Sequence, residues 1–589
     1  MVKTLLKSVR EYKKPALVTP MFMILEAFCE CLIPFFMAKM LSAINVDGIT
    51  PAAAMGQILR YGAILATLAL VSLTSGFLAG KFAATASCGF AKNLRHDLFY
   101  RVQKFSFANV DTFSTSSLVT RLTTDVTNVQ QSFQMCLRIV WRVPLQFIFA
   151  IIMSFIINPK LAWIFLAVVP LLALCLFSIV RYVMPFFKRI FKKYDALNNS
   201  VQENVSGIRV VKAYVREEYE TKKFQKAAGE VRDDFTKAEK ILALNNPIMT
   251  LFINVAAILI SAFAAYAIVD KTHWAAFDGF SAEQLSALIS YGIQMLSALM
   301  MFSMVFVMLT MSFESARRIT EVLKTQFDLV SPENGLKEVK DGSIRFENVN
   351  FKYSKTAERY ALFDIDLDVK SGETVGILGT TGSSKTTLIQ LIPRLYDATE
   401  GEVYVGGVNV KDYDLDVLRK EVAVVLQKNV LFSGTIKENL RWGDANATDE
   451  ELVRVCKLAQ AHEFISAFPD GYDTYIEQGG TNVSGGQKQR LCIARALLRK
   501  PKVLILDDST SAVDTKTDAL IRHAFKEEIP DTTKIIIAQR VASVEHADKI
   551  LILDGGKIIA SGNHAELMKT SDVYREIYET QTKGKGGDE

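Results

Sequence analysis

The first 325 residues of the chain contain six apolar runs, and this feature limits the possible folds more than any other. The runs centre on residues 16–44, 55–85, 133–157, 160–185, 245–269 and 280–310. A helix that crosses a bilayer needs roughly 20 apolar residues, because the hydrocarbon core is about 30 Å thick and each residue of a helix rises about 1.5 Å. Asn158, Pro159 and Lys160 divide the third run from the fourth and predict a tight turn. The sequence therefore predicts an all-α transmembrane domain of six helices over residues 1–325.

The charges of the connecting segments predict the orientation of these helices. Lys and Arg concentrate in the cytoplasmic segments of membrane proteins. They crowd the N-terminal segment and residues 86–132 and 186–243, whereas residues 45–53 contain Asp47 and neither Lys nor Arg. With residues 270–279 as a second short external loop, both termini lie in the cytoplasm. The long basic segments are expected to extend the helices tens of ångströms beyond the bilayer.

Composition argues against other classes of protein. The net charge is +5, but the basic residues follow the cytoplasmic segments and form no concentrated stripe, so we expect no nucleic-acid partner. The seven Cys are odd in number and have no CxxC spacing, which argues against a disulfide framework or a Cys-based metal site. The first apolar run is too long for a signal peptide, so we expect it in the mature protein.

Two acidic residues within the first run allow two interpretations. Glu26 and Glu30 are four residues apart and lie on one face of the helix. They could line a cavity for cationic substrates, or pair with Arg138 or Arg142 of the third run as structural contacts. The spans are also rich in Phe and Met, which suits either adaptable binding of apolar molecules or ordinary contact with lipid.

The C-terminal part reads as a soluble α/β domain. We predict a linker over residues 326–342, a nucleotide-binding domain over residues 343–580 and a disordered tail over residues 581–589. The apolar strand Thr374–Leu378 leads into Gly379–Thr386, and a helix follows, which is the context of a phosphate-binding loop. In such a loop, backbone N–H groups cradle phosphates, Lys385 reaches the β and γ oxygens, and the Thr386 hydroxyl contacts Mg²⁺.

Three segments together resemble the nucleotide-binding domain of ABC transporters. They are Gly379–Thr386, Val483–Gln487, which matches the signature motif, and Val503–Asp508, an apolar strand that ends in two carboxylates. With the six spans, the resemblance covers residues 10–580 and implies an exporter-type half-transporter that uses ATP and Mg²⁺. It also implies that 111–113 and 207–214 lie in helices that couple the two domains. Because each signature acts on nucleotide held by the other subunit, the chain must dimerise.

The resemblance assigns a role to each site residue. Tyr353 would stack on adenine, Gln427 would contact Mg²⁺, and Asp514 would signal across the dimer. The implied nucleotide contacts are Tyr353, Gly379, Thr380, Thr381, Gly382, Ser383, Ser384, Lys385, Thr386, Thr387, Gln427, Ser484, Gly485, Gly486, Gln487 and Asp514, and the implied metal contacts are Thr386, Gln427 and Asp507.

Three positions depart from the family pattern. Ser384 stands where Gly precedes the Lys, and its Cβ is expected to strain the turn or crowd the phosphates. Asp508 stands where the family has the catalytic Glu, and Gln539 where it has the switch His. Asp is shorter by roughly 1.5 Å, and a misplacement of about 1 Å can cost on the order of 10² in rate. Gln cannot become cationic. We therefore expect a slow or silent ATP site.

A homodimer of this chain would have two ATP sites that hydrolyse slowly or not at all, and such a pump would not work. The sequence therefore favours a heterodimer. The partner would supply the missing Glu and His, and Ser484–Gln487 of this chain would complete the partner's site. The predicted function is export of an amphipathic, drug-like or lipid-like substrate across a cell membrane, in a bacterium. Two alternatives stay open: a homodimeric exporter in which Asp508 and Gln539 retain modest hydrolysis, and a regulatory membrane protein gated by ATP.

Overall fold

A computed structural model of the chain describes residues 1–44, 50–269, 281–354 and 357–583. These residues form two compact units. The first comprises Met1–Gln103 and Ser114–Thr325, and the second comprises Lys104–Phe113 and the chain from Gln326 onward.

The described residues of the first unit form helices and short connections between them. Its helices are α1 Val2–Leu6, α2 Lys13–Ile44, α3 Pro51–Gln103, α5 Thr115–Thr120, α6 Val126–Ile157, α7 Pro159–Ser206, α8 Ile208–Ala213, α9 Glu217–Leu242, α10 Asn245–Val269 and α11 Ala282–Lys324, while α4 Phe107–Thr112 belongs to the second unit. By length and composition, the described residues contain six helical stretches that could span a membrane. The predicted six-helix architecture is confirmed. Residues 45–49 and 270–280, which carry most of the two predicted external loops, lie outside the described residues.

The predicted turn between the third and fourth runs is a helix cap. Asn158 has an extended backbone, and its side-chain oxygen accepts hydrogen bonds from the N–H groups of Lys160 at 3.0 Å and Leu161 at 3.1 Å. Pro159 is the first residue of α7, where its missing N–H costs nothing and its fixed φ suits a helix. The chain thus ends one long helix and begins another within a few residues.

The two acidic residues of α2 share one arginine. Arg142 of α6 contacts Glu26 at 3.0 Å and Glu30 at 2.8 Å. The Glu26 carboxylate also lies against α3, where a Cβ at Gly76 would approach its atoms within 3.2 Å. Of the two interpretations of these residues, the contacts favour structural pairing. A second helix also contacts α2, since the buried Tyr291 hydroxyl of α11 donates to the Cys31 carbonyl oxygen at 2.6 Å.

The second unit is built on a parallel sheet. Its strands are β1 Ile344–Phe351, β2 Leu362–Val369, β3 Thr374–Gly379, β4 Glu400–Val405, β5 Val408–Asn409, β6 Val422–Val425, β7 Gly434–Thr435, β8 Tyr475–Ile476, β9 Val503–Asp507, β10 Thr533–Ile537, β11 Lys549–Asp554 and β12 Lys557–Gly562. Six of them form a sheet in the order β12-β11-β3-β10-β9-β6, in which β12 alone is antiparallel. An antiparallel sheet in the order β2-β1-β4-β5 and the pair β7-β8 complete the strands.

Helices cover this sheet and form a separate helical region. They are α12 Lys385–Leu391, α13 Leu415–Glu421, α14 Ile436–Leu440, α15 Asp449–Leu458, α16 His462–Ser466, α17 Gly485–Leu497, α18 Thr515–Glu528, α19 His564–Thr570 and α20 Asp572–Lys583. Strands β9 and β10 are buried along their whole length, as expected for central parallel strands covered on both faces. This completes an α/β nucleotide-binding fold after the helical transmembrane domain, as the sequence predicts.

The short helix α4 packs within the second unit. Ser106 and Asn109 form a reciprocal capping box at its start. Asp111 accepts a hydrogen bond from the Tyr396 hydroxyl at 2.5 Å, and the Phe107 ring meets the Tyr396 ring edge-on at 6.0 Å. Burial and the Asp111 carboxylate raise the pKa of Tyr396. One of the two segments that resemble coupling helices is therefore a six-residue helix held against the nucleotide-binding fold.

The segments on either side of the nucleotide-binding fold are also ordered. Leu336 forms a bridge with Tyr413, and Val339 is buried in the core, so the predicted linker packs on the sheet. Helix α20 runs to Lys583, so the first three residues of the predicted tail are helical. Residues 584–589 lie outside the described residues.

Candidate nucleotide-binding site

The phosphate loop, Asp508 and Gln539 gather at one edge of the parallel sheet. Ile377 of β3 pairs with Ile537 of β10, and Ile537 pairs with Asp507 of β9. Because parallel strands place their carboxyl ends at the same edge, the segments that follow these strands emerge side by side. These segments are the phosphate loop, the Asp508 turn and the Gln539 turn. Ligands bind at this edge in open α/β sheets.

The phosphate loop folds around the Lys385 ammonium. Its Nζ donates to the carbonyl oxygens of Gly379 and Thr380 at 2.8 Å each, and to Ser383 Oγ at 3.3 Å. Burial lowers the pKa of Lys385, and the nearby carboxylates of Asp507 and Asp508 act in the opposite direction. The backbone requires glycine at Gly379, where φ is +156° and a Cβ would meet the Leu553 carbonyl oxygen at 2.2 Å. The loop thus folds back on the Lys385 ammonium, whose predicted partners are phosphate oxygens.

Ser384 adopts the backbone conformation that glycine would favour. Its φ is +71° and its ψ is +25°, in the left-handed region, immediately before α12. For an L-residue this conformation costs about 1–2 kcal/mol, because Cβ crowds the backbone. The departure from the family pattern at this position therefore has a backbone consequence, and the turn keeps its shape in spite of it.

Thr386 and Asp507 form an oxygen pair suited to Mg²⁺. The Thr386 hydroxyl donates to the Asp507 carboxylate oxygens at 3.0 and 3.2 Å. Asp507 is almost fully buried, and that burial raises its pKa. Among the described residues, no group of three or more His, Cys, Asp or Glu could hold a metal by itself. A hydroxyl and one carboxylate fit Mg²⁺, which completes its shell with water and substrate phosphates.

Asp508 and Gln539 are hydrogen-bonded to each other. Gln539 Nε2 donates to Asp508 Oδ2 at 2.6 Å, and Gln427 Nε2 approaches the same oxygen at 3.5 Å. Asp508 has a φ of +49°, so its backbone too lies in the left-handed region. Burial raises the pKa of Asp508, although the two amides and nearby Lys385 lower it in part. The carboxylate at the predicted hydrolytic position is thus hydrogen-bonded by neutral amides.

Tyr353 lies beside the start of α12. Its hydroxyl is hydrogen-bonded to Thr387 Oγ1 at 2.8 Å, while half of its surface is exposed. The Phe351 and Tyr396 rings meet it edge-on, at 4.9 and 5.3 Å. The aromatic side chain predicted to stack on adenine therefore adjoins the phosphate loop with an accessible ring. Sequence reasoning missed Tyr396, which also contacts Asp111 from 285 residues away and has no motif of its own.

The signature motif faces a different neighbour. Ser484 and Gln487 form a capping box at the start of α17, and a Cβ at Gly486 would meet the Ala512 carbonyl oxygen at 2.8 Å. Two residues on, Asp514 caps α18 by accepting a hydrogen bond from the Thr517 N–H. In the described part of the chain, no hydrogen bond joins Ser484–Gln487 to the phosphate loop. Within one chain, these two parts of the predicted site stay separate.

Comparisons with known proteins agree with this architecture. The family model for the ABC transporter transmembrane region matches residues 17–299, and the ABC transporter model matches residues 362–511. A Bacillus subtilis protein, the uncharacterized ABC transporter ATP-binding protein YfiB, is 37% identical over 587 residues, which are 99% of each chain. The chain belongs to the ABC transporter family. It is a multi-span membrane transporter subunit with an ATP-hydrolysing type of motor domain.

Two further comparisons bear on the subtype. The putative multidrug export ATP-binding/permease protein YgaD of Bacillus subtilis is 29% identical over 586 residues, which are 98% of this chain and 99% of that protein. A solved structure of a bacterial Atm1-family ABC exporter with ATP bound has a TM-score of 0.83 and 23% identity, covering 96% of this chain and 98% of that one. At this identity the second match establishes an exporter-type fold.

Proposed function

We propose that this chain is the subunit with the weak ATP site in a heterodimeric exporter. The observation that carries the proposal is the hydrogen bond of 2.6 Å between Gln539 and Asp508. Both residues depart from the family pattern, and the Gln539 amide is hydrogen-bonded to the Asp508 carboxylate. Hydrolysis of ATP needs a positioned base or orienting group for water and a donor for the γ-phosphate charge. Here the carboxylate is short and the donor is a neutral amide already bound to it.

Nucleotide binding itself should persist at this site. Bound Mg²⁺ would neutralise phosphate charge there, and Thr386 and Asp507 are the side chains that would hold it. Lys385 would exchange its contacts with the loop carbonyls for contacts with phosphate oxygens. Tyr353 offers an accessible ring beside the loop for adenine. These groups bind and orient, whereas only Asp508 and Gln539 act on the attacking water, so binding and slow hydrolysis are compatible.

The intact signature motif supports the assignment of a partner. Ser484–Gln487 is available at the start of α17 and is not engaged with this chain's own phosphate loop. A second half-transporter with its own phosphate loop, Glu and His would use this signature to complete a working site. The productive site of the pair would then consist of the partner's catalytic residues and this chain's signature.

A second pair of surfaces supports assembly with a partner. Helix α8 has no buried residue, and Ile208 and Val210 are exposed on it. The nucleotide-binding unit carries a groove of about 290 Å³ lined in part by Phe432, Trp442 and Arg495. The stacked Phe432 and Trp442 rings suit an apolar helix. We assign this groove to the partner's counterpart of α8, so that closure of the motor domains moves the membrane helices.

The substrate class follows from the apolar surface of the spans and from one relative. Phe28, Met37, Phe302, Met304 and Phe306 expose large side chains on α2 and α11. Adaptable Met and aromatic surfaces suit varied amphipathic molecules. The description of YgaD as a putative multidrug exporter points the same way. We therefore assign export of a drug-like or lipid-like substrate from the cytoplasm or inner leaflet of a bacterial cell membrane, with both termini in the cytoplasm.

The deciding experiment measures ATP turnover of the chain alone and of the chain with the half-transporter encoded beside its gene, both in lipid nanodiscs. We expect turnover only in the pair, and its loss when the partner's catalytic carboxylate becomes an amide. In that inactive pair, the double variant Asp508→Glu with Gln539→His should raise turnover on the order of 10²-fold, because both groups regain their reach and charge.

Single variants serve as the controls for this gain. Asp508→Glu alone lengthens the carboxylate but leaves the neutral amide, so it should recover less turnover than the double variant. Rapid turnover by the unmodified chain alone, abolished by Asp508→Asn, would instead establish the homodimer. Nucleotide-dependent conformational change in a pair that never turns over ATP would establish the gated regulatory protein.

A further inference from the structure

The C-terminal helix α20 reaches the turn that carries Gln539. Gln581 Nε2 donates to the Gln539 carbonyl oxygen at 2.9 Å, and Gln581 Oε1 accepts from the Val541 N–H at 2.8 Å. One side-chain amide thus holds two main-chain groups, on either side of Arg540. The two bonds restrict the rotation of the peptide groups between Gln539 and Val541, because each amide end has a distinct role as donor or acceptor.

The base of α20 is fixed firmly enough for this contact to matter. Tyr574 is fully buried, and its hydroxyl is hydrogen-bonded to His564 Nδ1 at 2.7 Å. Arg575 Nε donates to the Met568 carbonyl oxygen at 3.0 Å. Gln581 is seven residues after Tyr574, so both lie on the same face of the helix. The anchored face therefore delivers the Gln581 amide to the turn.

Other residues hold the far side of the same turn. Arg522 of α18 donates to the Ala542 carbonyl oxygen at 3.0 Å, and Ser543 donates to Asp518 at 3.0 Å. These contacts lie after Val541, whereas Gln539 itself is held through its main chain by Gln581. The side chain of Gln539 then reaches Asp508. Gln581, Gln539 and Asp508 form a continuous series of hydrogen bonds from the C-terminal helix to the nucleotide site.

We propose that Gln581 is a positioning residue for the nucleotide site, and that it acts through the Gln539 turn to hold the Gln539–Asp508 pair in place. The proposal rests on the proposed function, in which this pair limits hydrolysis at the weak site, and adds that an ordered pair also slows the departure of nucleotide. When α20 is docked, the turn keeps one conformation and nucleotide is retained. When the Gln581 contacts are lost, the Gln539 side chain leaves Asp508 and nucleotide departs faster.

The test measures nucleotide release from this subunit within the complete pair in nanodiscs. The site is loaded with radiolabelled 8-azido-ATP, chased with unlabelled ATP, and photolysed at intervals, after which the subunits are separated on a gel. We expect Gln581→Ala to release nucleotide on the order of 10-fold faster, a change typical of a coupling energy within one hydrogen-bond network. Thr580→Ala is the matched control, because the exposed Thr580 hydroxyl donates to Glu576 of the same helix.

A double variant separates positioning from general destabilisation. If Gln581 acts through Gln539, the variant with both Gln581→Ala and Gln539→Ala should release nucleotide no faster than Gln539→Ala alone. Additive effects would overturn the proposal, as would unchanged release by Gln581→Ala. Gln581→Glu keeps the acceptor for Val541 but loses the donor to Gln539, so it should release nucleotide as fast as Gln581→Ala. Release at the parent rate by Gln581→Glu would likewise overturn it.

Failure of this proposal can be told apart from failure of the proposed function. Rapid ATP turnover by the chain alone would refute the weak-site assignment, and the same double-variant comparison would then be read on turnover. Additive effects in that comparison would refute the role of Gln581, whatever the rate of turnover.

Discussion

Two non-glycine residues of the predicted nucleotide site have left-handed backbone conformations. Ser384 and Asp508 both have positive φ, at +71° and +49°. Such conformations cost free energy at non-glycine residues and persist where neighbouring contacts hold them. For Asp508 the contacts are the Gln539 amide and the N–H bond to the Ile537 carbonyl oxygen. These contacts thus hold the Asp508 conformation in place, and in the proposed function the residues of this site allow binding but limit hydrolysis.

At the residue scale, we predict that Ser384→Gly stabilises the nucleotide-binding domain. The substitution removes the Cβ that is crowded at φ +71°, and we expect a gain of about 1 kcal/mol in the free energy of unfolding. The measurement is the thermal unfolding midpoint of the purified chain in detergent. Ser384→Ala retains Cβ and serves as the control, so an equal rise with Ala would contradict the strain argument.

At the scale of elements, α4 connects to the nucleotide site through one tyrosine. Tyr396 donates to Asp111 of α4 and packs its ring edge-on against Tyr353. The helix has only six residues, which is too few to be stable without tertiary contacts. Its order therefore depends on the capping box at Ser106 and on the contacts with Tyr396. The same side chain packs against Tyr353, the residue predicted to stack on adenine, so we expect a change at either place to affect the other.

We predict that Tyr396→Phe loosens α4. The variant keeps the ring contacts and removes the hydrogen bond to the Asp111 carboxylate, a type of bond worth about 1.5–3 kcal/mol. Amide hydrogens of Phe107–Thr112 should exchange with deuterium about 10- to 100-fold faster, measured by mass spectrometry on the nanodisc-embedded chain. Tyr404→Phe removes an exposed hydroxyl bonded to Glu402 and should leave this exchange unchanged. If the amide hydrogens of α4 exchange as slowly in Tyr396→Phe as in the parent chain, α4 does not depend on the Tyr396 hydroxyl.

At the scale of the whole molecule, the membrane half is held together by a few polar contacts among many apolar ones. Arg142 joins α6 to α2 through Glu26 and Glu30, and the Tyr291 hydroxyl joins α11 to α2. Between helices in lipid, apolar burial contributes little to association, so packing and hydrogen bonds decide which faces meet. The arginine shared by two carboxylates is the strongest of these contacts by charge.

We predict that Arg142→Gln destabilises the membrane half by about 3–5 kcal/mol, because it removes the cation that contacts both carboxylates in a largely buried setting. The measurement is the thermal unfolding midpoint and the yield of folded protein in nanodiscs. Adding Glu26→Gln should recover part of the loss, since one uncompensated charge disappears. The exposed Arg60→Gln is the control. If the unfolding midpoint and the yield of the variant with both Arg142→Gln and Glu26→Gln do not recover, Arg142 acts through packing and not through its charge.

The sequence alone determined the broad architecture. Each span carries its own signal, because a lipid-crossing helix must satisfy its backbone locally, and six such runs predict six helices. The strand before Gly379 and the helix after it likewise depend on neighbouring residues. The sequence also showed that Asp508 and Gln539 depart from the family pattern, because the neighbouring motifs identify the position that each residue takes. The domain boundaries and the site roles remain predictions.

Only the tertiary structure decided which distant residues meet. It chose Arg142 for both Glu26 and Glu30, brought Tyr396 between Tyr353 and Asp111, and ordered the segment that contains Leu336. It also placed Gln581, a residue of the predicted tail, in hydrogen bonds with the main chain of Gln539 and Val541. A single Gln or Tyr has no periodicity or motif, and its partner depends on how strands and helices pack. Such contacts depend on three-dimensional placement, whereas spans and loops depend on local sequence.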